Sequence, residues 1–439
     1  MAGPRPIPKD TAAVLTPKAL ADCLNLGLLL DRLNPWEPMG SKWDLAFHVE
    51  ERKKVQEQWQ WLPATRSSGE AKGLWLSDQQ GDRRTRLLDE PLLRQSHVDT
   101  ALLNAHRVRW ERLVAHYGAD EESDLRFDLW TDARLAIGLG SDSVLETAIT
   151  LHRIYGFPII PGSALKGLTR IWALLELAAT LGVPALNYEE FLARKGPQVQ
   201  NKRQTPLNLL EGLLEADLDT EDEKEQGALQ KALGKLKDEE PVKDAGGAIL
   251  NMNLTQFREH QDVRVFRAVF GYLSRTGGAV FFDAIPVEVP RLVADVMNVH
   301  YPDYYRDEKG ETPPADDQNP NPVSFLTVAE GAAFRFAVGG RRQNNTSDLA
   351  CAQMARIWLE QALREAGVGA KTVAGYGYFG DYHPVEFGQA EPETGIPDES
   401  PDKPKGVQGE GPRPLSKKHE QEIKSLTDEV MRRLYENDA

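Results

Sequence analysis

Two short segments of this chain place small residues beside cations, a combination that suits binding to a phosphate backbone. Residues 161–167 read PGSALKG, and residues 367–380 carry five glycines and one lysine. Small residues let another chain approach closely. Contacts from lysine, arginine and backbone N–H groups to phosphates hold a nucleic acid without reading its sequence. Both segments are therefore candidate binding sites for a nucleic-acid strand.

The first segment is predicted to open a helix. Gly162 follows a proline, Ser163 is placed to cap the helix, and apolar residues follow at helical spacing. The unpaired N–H groups of a helix start attract anions, and Lys166 and Arg170, four residues apart, would extend that site. An ordinary capped helix with two solvated cations explains the pattern equally well. ATPase activity is disfavoured, because a P-loop needs Ser or Thr directly after Gly-Lys, whereas Lys166 precedes Gly167.

The second segment contains what we call the glycine loop (residues 367–377). Glycine permits positive φ and removes a side chain where another backbone must pass. The candidate nucleic-acid contacts in this loop are Gly369, Lys371, Thr372, Gly375 and Gly377. Tyr376 and Tyr378 could stack on bases. A turn that ends a helix explains Gly367 by itself, but it does not require so many glycines.

His152 and Arg153 lie in a stretch without acidic residues and complete the set of candidate contacts. His152 could be a general base, but no second catalytic partner stands out, so a binding or structural role is favoured. Ligation of a metal by Asp295, His300 and Asp303 lacks a recognised ligand spacing. The sequence therefore predicts neither a metal nor a cofactor.

Hydrophobic periodicity predicts the elements that would position these residues. They are, in order, a strand (124–137), a helix from residue 163, three strands (263–272, 278–287 and 334–338), a helix (347–366) and a strand (373–385). Asp283 falls in the second of the three strands and is expected to be a strand-end acid rather than a nuclease carboxylate. The element order favours an α+β fold of the ferredoxin-like kind, with a repeated or elaborated βαββαβ core.

The rest of the chain differs in composition from this core. The predicted regions are a mainly helical N-terminal part (1–120), the core (121–388), an acidic insertion within it (195–248), a Pro/Gly/Glu-rich linker (389–415) and a C-terminal amphipathic helix (416–439). Residues 295–323 contain five prolines and predict a long loop.

The composition sets further bounds. The 439 residues are 41% hydrophobic and include only two cysteines, so we expect a sizeable core, no disulfide framework and a reducing cytoplasm. No signal-peptide run or membrane-spanning run is found. The net charge of −15 argues against nucleic acid. However, residues 195–248, 303–317 and 389–439 carry −4 each, which leaves room for a local basic face.

Several motifs resemble the RAMP superfamily of CRISPR-associated proteins. They are GLG (138–140), LET (145–147), YGFP (155–158), IPGSALKG (160–167), FDA (282–284), DVMN (295–298), HYP (300–302), YY (304–305), FLTV (325–328) and the glycine loop. Within that superfamily they are most similar to a subunit of the type III-B Cmr effector complex. The resemblance covers roughly residues 137–379, and the N-terminal region, the acidic insertion and the tail match no motif.

The resemblance implies an RRM-related, Cas7-like fold in a cytoplasmic ribonucleoprotein for antiviral defence. Such a subunit would cap the protein backbone of the complex near the 3′ end of the guide and help to hold the guide–target duplex. The implied partners are CRISPR RNA, target RNA and other Cmr subunits, with no membrane. Target cleavage in these complexes is attributed to an aspartate of a neighbouring subunit. No motif here matches that aspartate, so a non-catalytic role is expected.

Two other interpretations stay open. A metal-independent endoribonuclease of the same superfamily would use His152 with Lys166 or Lys371. Alternatively, an α+β protein could bind a phosphorylated small molecule at its anion site. The favoured interpretation predicts that the two glycine-and-cation segments fold together into one groove for an RNA strand.

Overall fold

The computed structural model of this protein describes nine stretches of the chain. They are residues 36–39, 42–45, 47–55, 58–66, 83–85, 100–141, 147–185, 205–299 and 321–381. The architecture is a mixture of α-helices and antiparallel β-sheets. The linker and the C-terminal helix predicted for residues 389–439 lie outside the described residues.

The part of the chain before residue 120 contains strands as well as a helix. The strands are β1 (Trp36–Met39), β2 (Lys42–Leu45), β3 (Phe47–Val55), β4 (Gln58–Arg66) and β5 (Arg83–Thr85). β1 pairs with β2, and β3 lies between β4 and β5. In the described part of this region, only α1 (Thr100–His116) agrees with the prediction of a mainly helical segment. Alternation such as QWQW at residues 58–61 has the period of a strand, which explains the difference.

The remaining elements form the body of the molecule. The strands are β6 (Arg126–Thr131), β7 (Gly271–Tyr272), β8 (Arg275–Thr276), β9 (Ala279–Phe281), β10 (Ile285–Pro286), β11 (Leu292–Val299), β12 (Asn321–Val328), β13 (Ala333–Gly340) and β14 (Phe379–Gly380). The helices are α2 (Gly162–Leu181), α3 (Pro206–Glu215), α4 (Glu223–Asp238), α5 (Glu240–Ala245), α6 (Leu254–Glu259), α7 (Gln261–Phe270) and α8 (Thr346–Glu365). None of the described helices has the length and apolar character needed to cross a bilayer.

An antiparallel sheet in the order β10–β13–β6–β14 lies at the centre, and β9 also pairs with β13, beside β10. The main elements follow one another along the chain as β6, α2, β9 with β10, β13, α8 and β14. Helix α8 packs on β13 and on α2. On the sheet, Phe334 and Phe336 are buried at alternate positions, and both rings pack edge-to-face with the ring of Phe379 in β14. This packing fixes β14, and the glycine loop that precedes it, at one edge of the sheet.

The predicted strand 278–287 is interrupted and forms β9 and β10, and the described part of the predicted strand 373–385 is a strand only at Phe379–Gly380. Two further predicted elements are of the wrong type. Residues 263–272, predicted to be a strand, form α7 followed by β7, because Val263, Phe266 and Phe270 are buried at helical spacing. Residues 295–323, predicted to be a loop, instead contribute to β11 and β12. These two strands pair from Leu292↔Val328 to Val299↔Asn321.

Candidate nucleic-acid interface

Helix α2 starts against a break in the edge of the central sheet. Ile160 and Ala284 exchange two backbone hydrogen bonds, of 2.8 and 3.1 Å. The Gly162 N–H then donates to the Asp283 carboxylate at 2.7 Å. A Cβ on Gly162 would lie 2.4 Å from the Phe281 carbonyl oxygen. Glycine is therefore required here by close packing of the helix against the strand.

The prediction that Ser163 caps this helix is wrong. The N-cap residue is Pro161, no side chain of the cap position bonds to the helix, and Ser163 is exposed. Asp283 instead places a carboxylate at the positive end of the helix dipole. The anion site predicted at the helix start is thus already partly occupied by the protein itself, and its role in RNA binding stays a prediction.

Lys166 lies one turn into α2, within electrostatic range of Arg170 and Arg341, and we call these three residues the basic cluster. Burial lowers the pKa of Lys166, and the nearby charges of Arg341 and Arg170 lower it further. Among the described residues, no carboxylate forms an ion pair with Lys166. Arg341 is exposed, and its Nε donates to the Gly277 carbonyl at 2.7 Å. An external anion would stabilise this arrangement by offsetting the repulsion between its cations.

Arg170 is the member of this cluster whose positive charge is neutralised by carboxylates of the protein. Its guanidinium bonds to the carboxylates of Glu211 and Glu215 on α3, the second at 2.7 Å, and lies 5.7 Å from the centre of the Phe266 ring. Both glutamates belong to the predicted acidic insertion. Arg170 thus connects the helix to the insertion, and Lys166 as a phosphate contact stays a prediction.

The glycine loop is bound to the segment that follows β6. The Gly377 N–H donates to the Arg134 carbonyl at 2.9 Å. Gly377 has a positive φ of 77°, and a Cβ there would lie 2.0 Å from the Val368 carbonyl oxygen. Gly369 lies close to Ala136 in the same way. These glycines let the loop pack tightly against the protein, so they are not in themselves a sign of RNA contact.

The tip of the loop is open. A 3₁₀ turn spans Thr372–Ala374, and its Val373 is fully exposed. A Cβ on Gly375 would meet no atom within 4 Å. Lys371 has a left-handed φ of 62°, and its Nζ lies 5.6 Å from the centre of the Phe325 ring. A polymer strand could therefore pass close to the backbone at the tip, beside a lysine.

Asp295 of β11 connects the β11–β12 pair to the loop, and sequence reasoning missed this role. Its carboxylate accepts hydrogen bonds from Tyr376 at 2.6 Å, from Arg134 at 2.7 Å and from the Val296 N–H at 2.8 Å. Burial alone would raise the pKa of Asp295, but these hydrogen bonds outweigh it and lower the pKa. Burial and Asp295 together raise the pKa of Tyr376 to about 12, so its hydroxyl remains a donor. The valines of residues 292–299 were the signal for a strand here.

Within the described residues, the Asp295 carboxylate accepts hydrogen bonds from Tyr376, Arg134 and the Val296 N–H. The described residues contain no group of three or more potential metal ligands. His300 and Asp303, the other two proposed ligands, lie outside the described residues.

His152 lies in a cluster of aromatic rings. Its ring centroid is 4.9 Å from that of His106 and 4.7 Å from that of Tyr155. Its Nδ1 accepts hydrogen bonds from the N–H groups of Ile154 and Tyr155 at 3.2 and 3.3 Å, so Nε2 carries the proton of the neutral ring. Burial lowers the pKa of His152 most strongly. The ring therefore lacks a free basic nitrogen, while the neighbouring Arg153 is exposed.

The structure does not bring the two predicted segments into one groove. Arg341 follows the end of β13, whereas the glycine loop packs beyond the end of β6. Because β6 and β13 are antiparallel, these are opposite ends of the sheet. The eight residues of β13 span about 25 Å. The helix start and the loop also lie at opposite edges, next to β9 and β14 respectively. The molecule therefore has two separate candidate sites.

Comparison with known proteins identifies the family. The RAMP superfamily model matches residues 131–380, more than half of the chain. The CRISPR system Cmr subunit Cmr6 of Pyrococcus furiosus is 34% identical over 261 residues. That match covers 57% of this chain and 66% of the relative, which is less than two thirds of its length. It confirms the resemblance to a type III-B Cmr subunit seen in the motifs.

Two solved structures are also similar to this chain. The crystal structure of Cmr6 from Pyrococcus furiosus is 30% identical, with a TM-score of 0.31, over 58% of this chain and 97% of that one. The cryo-EM structure of the type III-B Cmr-beta complex bound to cognate target RNA is 17% identical, with a TM-score of 0.33, over 66% of this chain and 68% of that one. The family itself follows from the sequence match over residues 131–380: this chain is a member of the RAMP superfamily.

Proposed function

We propose that this chain is a non-catalytic RNA-binding subunit of a type III-B CRISPR effector complex. It would cap the protein backbone of that complex near the 3′ end of the CRISPR RNA and help to hold the guide–target duplex. Its partners would be CRISPR RNA, target RNA and the other Cmr subunits, in the cytoplasm. The similarity to Cmr6 supports this role.

The observation that carries the proposal is the basic cluster. The charge of Arg341 acts on Lys166, and no carboxylate of the described residues forms an ion pair with Lys166, on a chain whose net charge is −15. Cations without local compensation are expected where a polyanion binds, because phosphate contacts supply most of the affinity that is independent of sequence. Such binding suits a subunit of an RNA-guided complex, since base pairing with the guide selects the target.

The proposal extends to the fold of the core. Its element order and its strand order β10–β13–β6–β14, with antiparallel neighbours, are those expected of a ferredoxin-like, RRM-related βαββαβ unit. The two candidate sites lie at opposite ends of this unit. We infer that one extended RNA strand, or the two sides of a duplex, contacts both ends.

The geometry around His152 disfavours the endoribonuclease alternative. That reaction would need His152 as a base, and its Nδ1 already accepts two backbone hydrogen bonds.

The small-ligand alternative is disfavoured by the distance between the candidate sites. Lys371 lies in the glycine loop, at the other end of the sheet from the basic cluster. A small phosphorylated ligand would not need two sites so far apart, which favours a polymer.

Purification of the tagged full chain from its native host tests the proposal. We expect it to carry RNA of guide length and the other Cmr subunits. The double variant Lys166→Glu/Arg341→Glu should lose most of the RNA, whereas Lys231→Glu, an exposed lysine on α4, should keep it. Absence of RNA from the wild-type preparation, or equal RNA in all three, would overturn the proposal.

A further inference from the structure

We propose that Asp295 is a positioning residue that holds the glycine loop in the shape in which the loop contacts RNA. This inference rests on the proposed RNA-binding function of the loop. Asp295 lies on β11, distant in sequence from both of the segments that it joins. Its Oδ2 accepts hydrogen bonds from Arg134, which follows β6, and from Tyr376 in the loop.

The loop needs an external restraint because its backbone is unusual. Gly369, Lys371, Gly375 and Gly377 all have positive φ, and Lys371 has a side chain that disfavours this conformation. Residues in such regions persist only when the surrounding structure holds them. The hydrogen bond from Tyr376 to Asp295 is a side-chain restraint on the C-terminal side of the open tip, one residue after Gly375.

The partner of Asp295 across the strand pair contacts the same loop. Asp295 and Phe325 are directly opposite in the β11–β12 register, so their side chains share one face. The Phe325 ring lies 5.6 Å from the Lys371 Nζ and 6.0 Å from the Tyr376 ring. One cross-strand pair thus positions both the lysine and the tyrosine of the loop. A shift of the β11–β12 pair would therefore move the tip.

The geometry also assigns distinct effects to conservative changes. Asp295→Asn keeps an acceptor for the Tyr376 hydroxyl but loses the charge that pairs with Arg134. Tyr376→Phe keeps the ring beside Phe325 and removes only the donor. Both variants should preserve packing, so they separate the hydrogen bond from the fold.

Hydrogen exchange of the glycine-loop amides in the full chain, without RNA, tests the restraint directly. We expect Asp295→Ala to speed exchange about tenfold or more, because it removes charged hydrogen bonds. Asp295→Asn should fall between Asp295→Ala and the wild type. Glu330→Ala, which removes an exposed carboxylate after β12, should leave exchange unchanged. Unchanged exchange in Asp295→Ala would overturn the proposal.

Affinity for single-stranded RNA tests the functional half. Asp295→Ala and Tyr376→Phe should each weaken binding several-fold. The double variant should bind no more weakly than Asp295→Ala alone, because Asp295→Ala already removes the hydrogen bond that Tyr376→Phe removes. Faster exchange with unchanged RNA affinity would overturn the inference while leaving the proposed function intact. A wild-type chain without salt-dependent RNA affinity would instead overturn the proposed function, together with the RNA part of this inference.

Discussion

The backbone N–H of Gly162 donates a 2.7 Å hydrogen bond to the carboxylate of Asp283, so the protein fills the positive end of helix α2 with its own anion. Asp283, in the FDA motif, lies at the break between β9 and β10. This contact moves the candidate RNA contact from the helix start to Lys166, one turn further on.

Asp283→Ala should therefore destabilise the protein. It leaves the first N–H of the helix without a partner, and loss of such a cap costs about 0.5–2 kcal/mol. Chemical denaturation measures this difference. Glu288→Ala removes an exposed carboxylate from the same segment and should have little effect. Equal stability of the two variants would show that the hydrogen bond contributes nothing.

The histidine cluster should make stability depend on pH. Burial lowers the pKa of His106, and His152 and Arg109 lower it further, against the opposing charge of Asp283. A histidine with a lowered pKa binds its proton more tightly in the unfolded chain. Its contribution to stability is thus present above about pH 6.5 and is lost as the pH falls through the folded-state pKa.

We expect the free energy of unfolding to fall between about pH 7 and about pH 5, and to fall less in His106→Phe, which keeps a ring but cannot bind a proton. His116→Phe, at the exposed end of the same helix, is the control. A pH dependence identical in wild type and His106→Phe would contradict this account of the cluster.

Arg170 should matter for stability rather than for RNA. Its guanidinium bonds to Glu211 and Glu215, so Arg170→Ala should cost about 1–2 kcal/mol of stability. Because these carboxylates already neutralise it, the salt dependence of RNA binding should stay close to the wild-type value. A slope that drops as far as it does in Lys166→Ala would place Arg170 on the RNA path after all.

The chain should not cleave RNA. Incubation of the full chain with CRISPR-repeat RNA in EDTA is expected to leave the RNA intact, because His152 has no free basic nitrogen. Cleavage that disappears in His152→Ala would establish the endoribonuclease alternative instead.

Hydrophobic periodicity correctly predicts the elements that have one apolar face and one polar face. The alternation of Phe334 and Phe336 and the helical spacing in α2 and α8 match the structure. Residues 263–272 resemble a strand in sequence because Val263 and Val265 alternate with polar residues. In the structure they form α7, which buries residues at helical spacing. β11 was missed because the prolines after it suggested a loop.

The arrangement of the candidate sites could not be read from spacing. Lys166 and Lys371 were placed in one groove because each lies among small residues. Their separation follows from the antiparallel pairing of β6 with β13, a long-range property that neither segment encodes. Arg341 could not be assigned to the basic cluster from the sequence either, because only the fold brings its charge within range of Lys166. Asp283 and Asp295 are likewise hydrogen-bond acceptors for residues distant in sequence.

The salt dependence of single-stranded RNA binding by the full chain tests the central claim most directly. If Lys166 and Arg341 each contact one phosphate, replacing either by alanine should reduce the slope of log affinity against log salt by about 0.7, and the double variant by about twice that. Lys231→Ala should leave the slope unchanged. A double variant with the wild-type slope would contradict the claim that this cluster binds the RNA backbone.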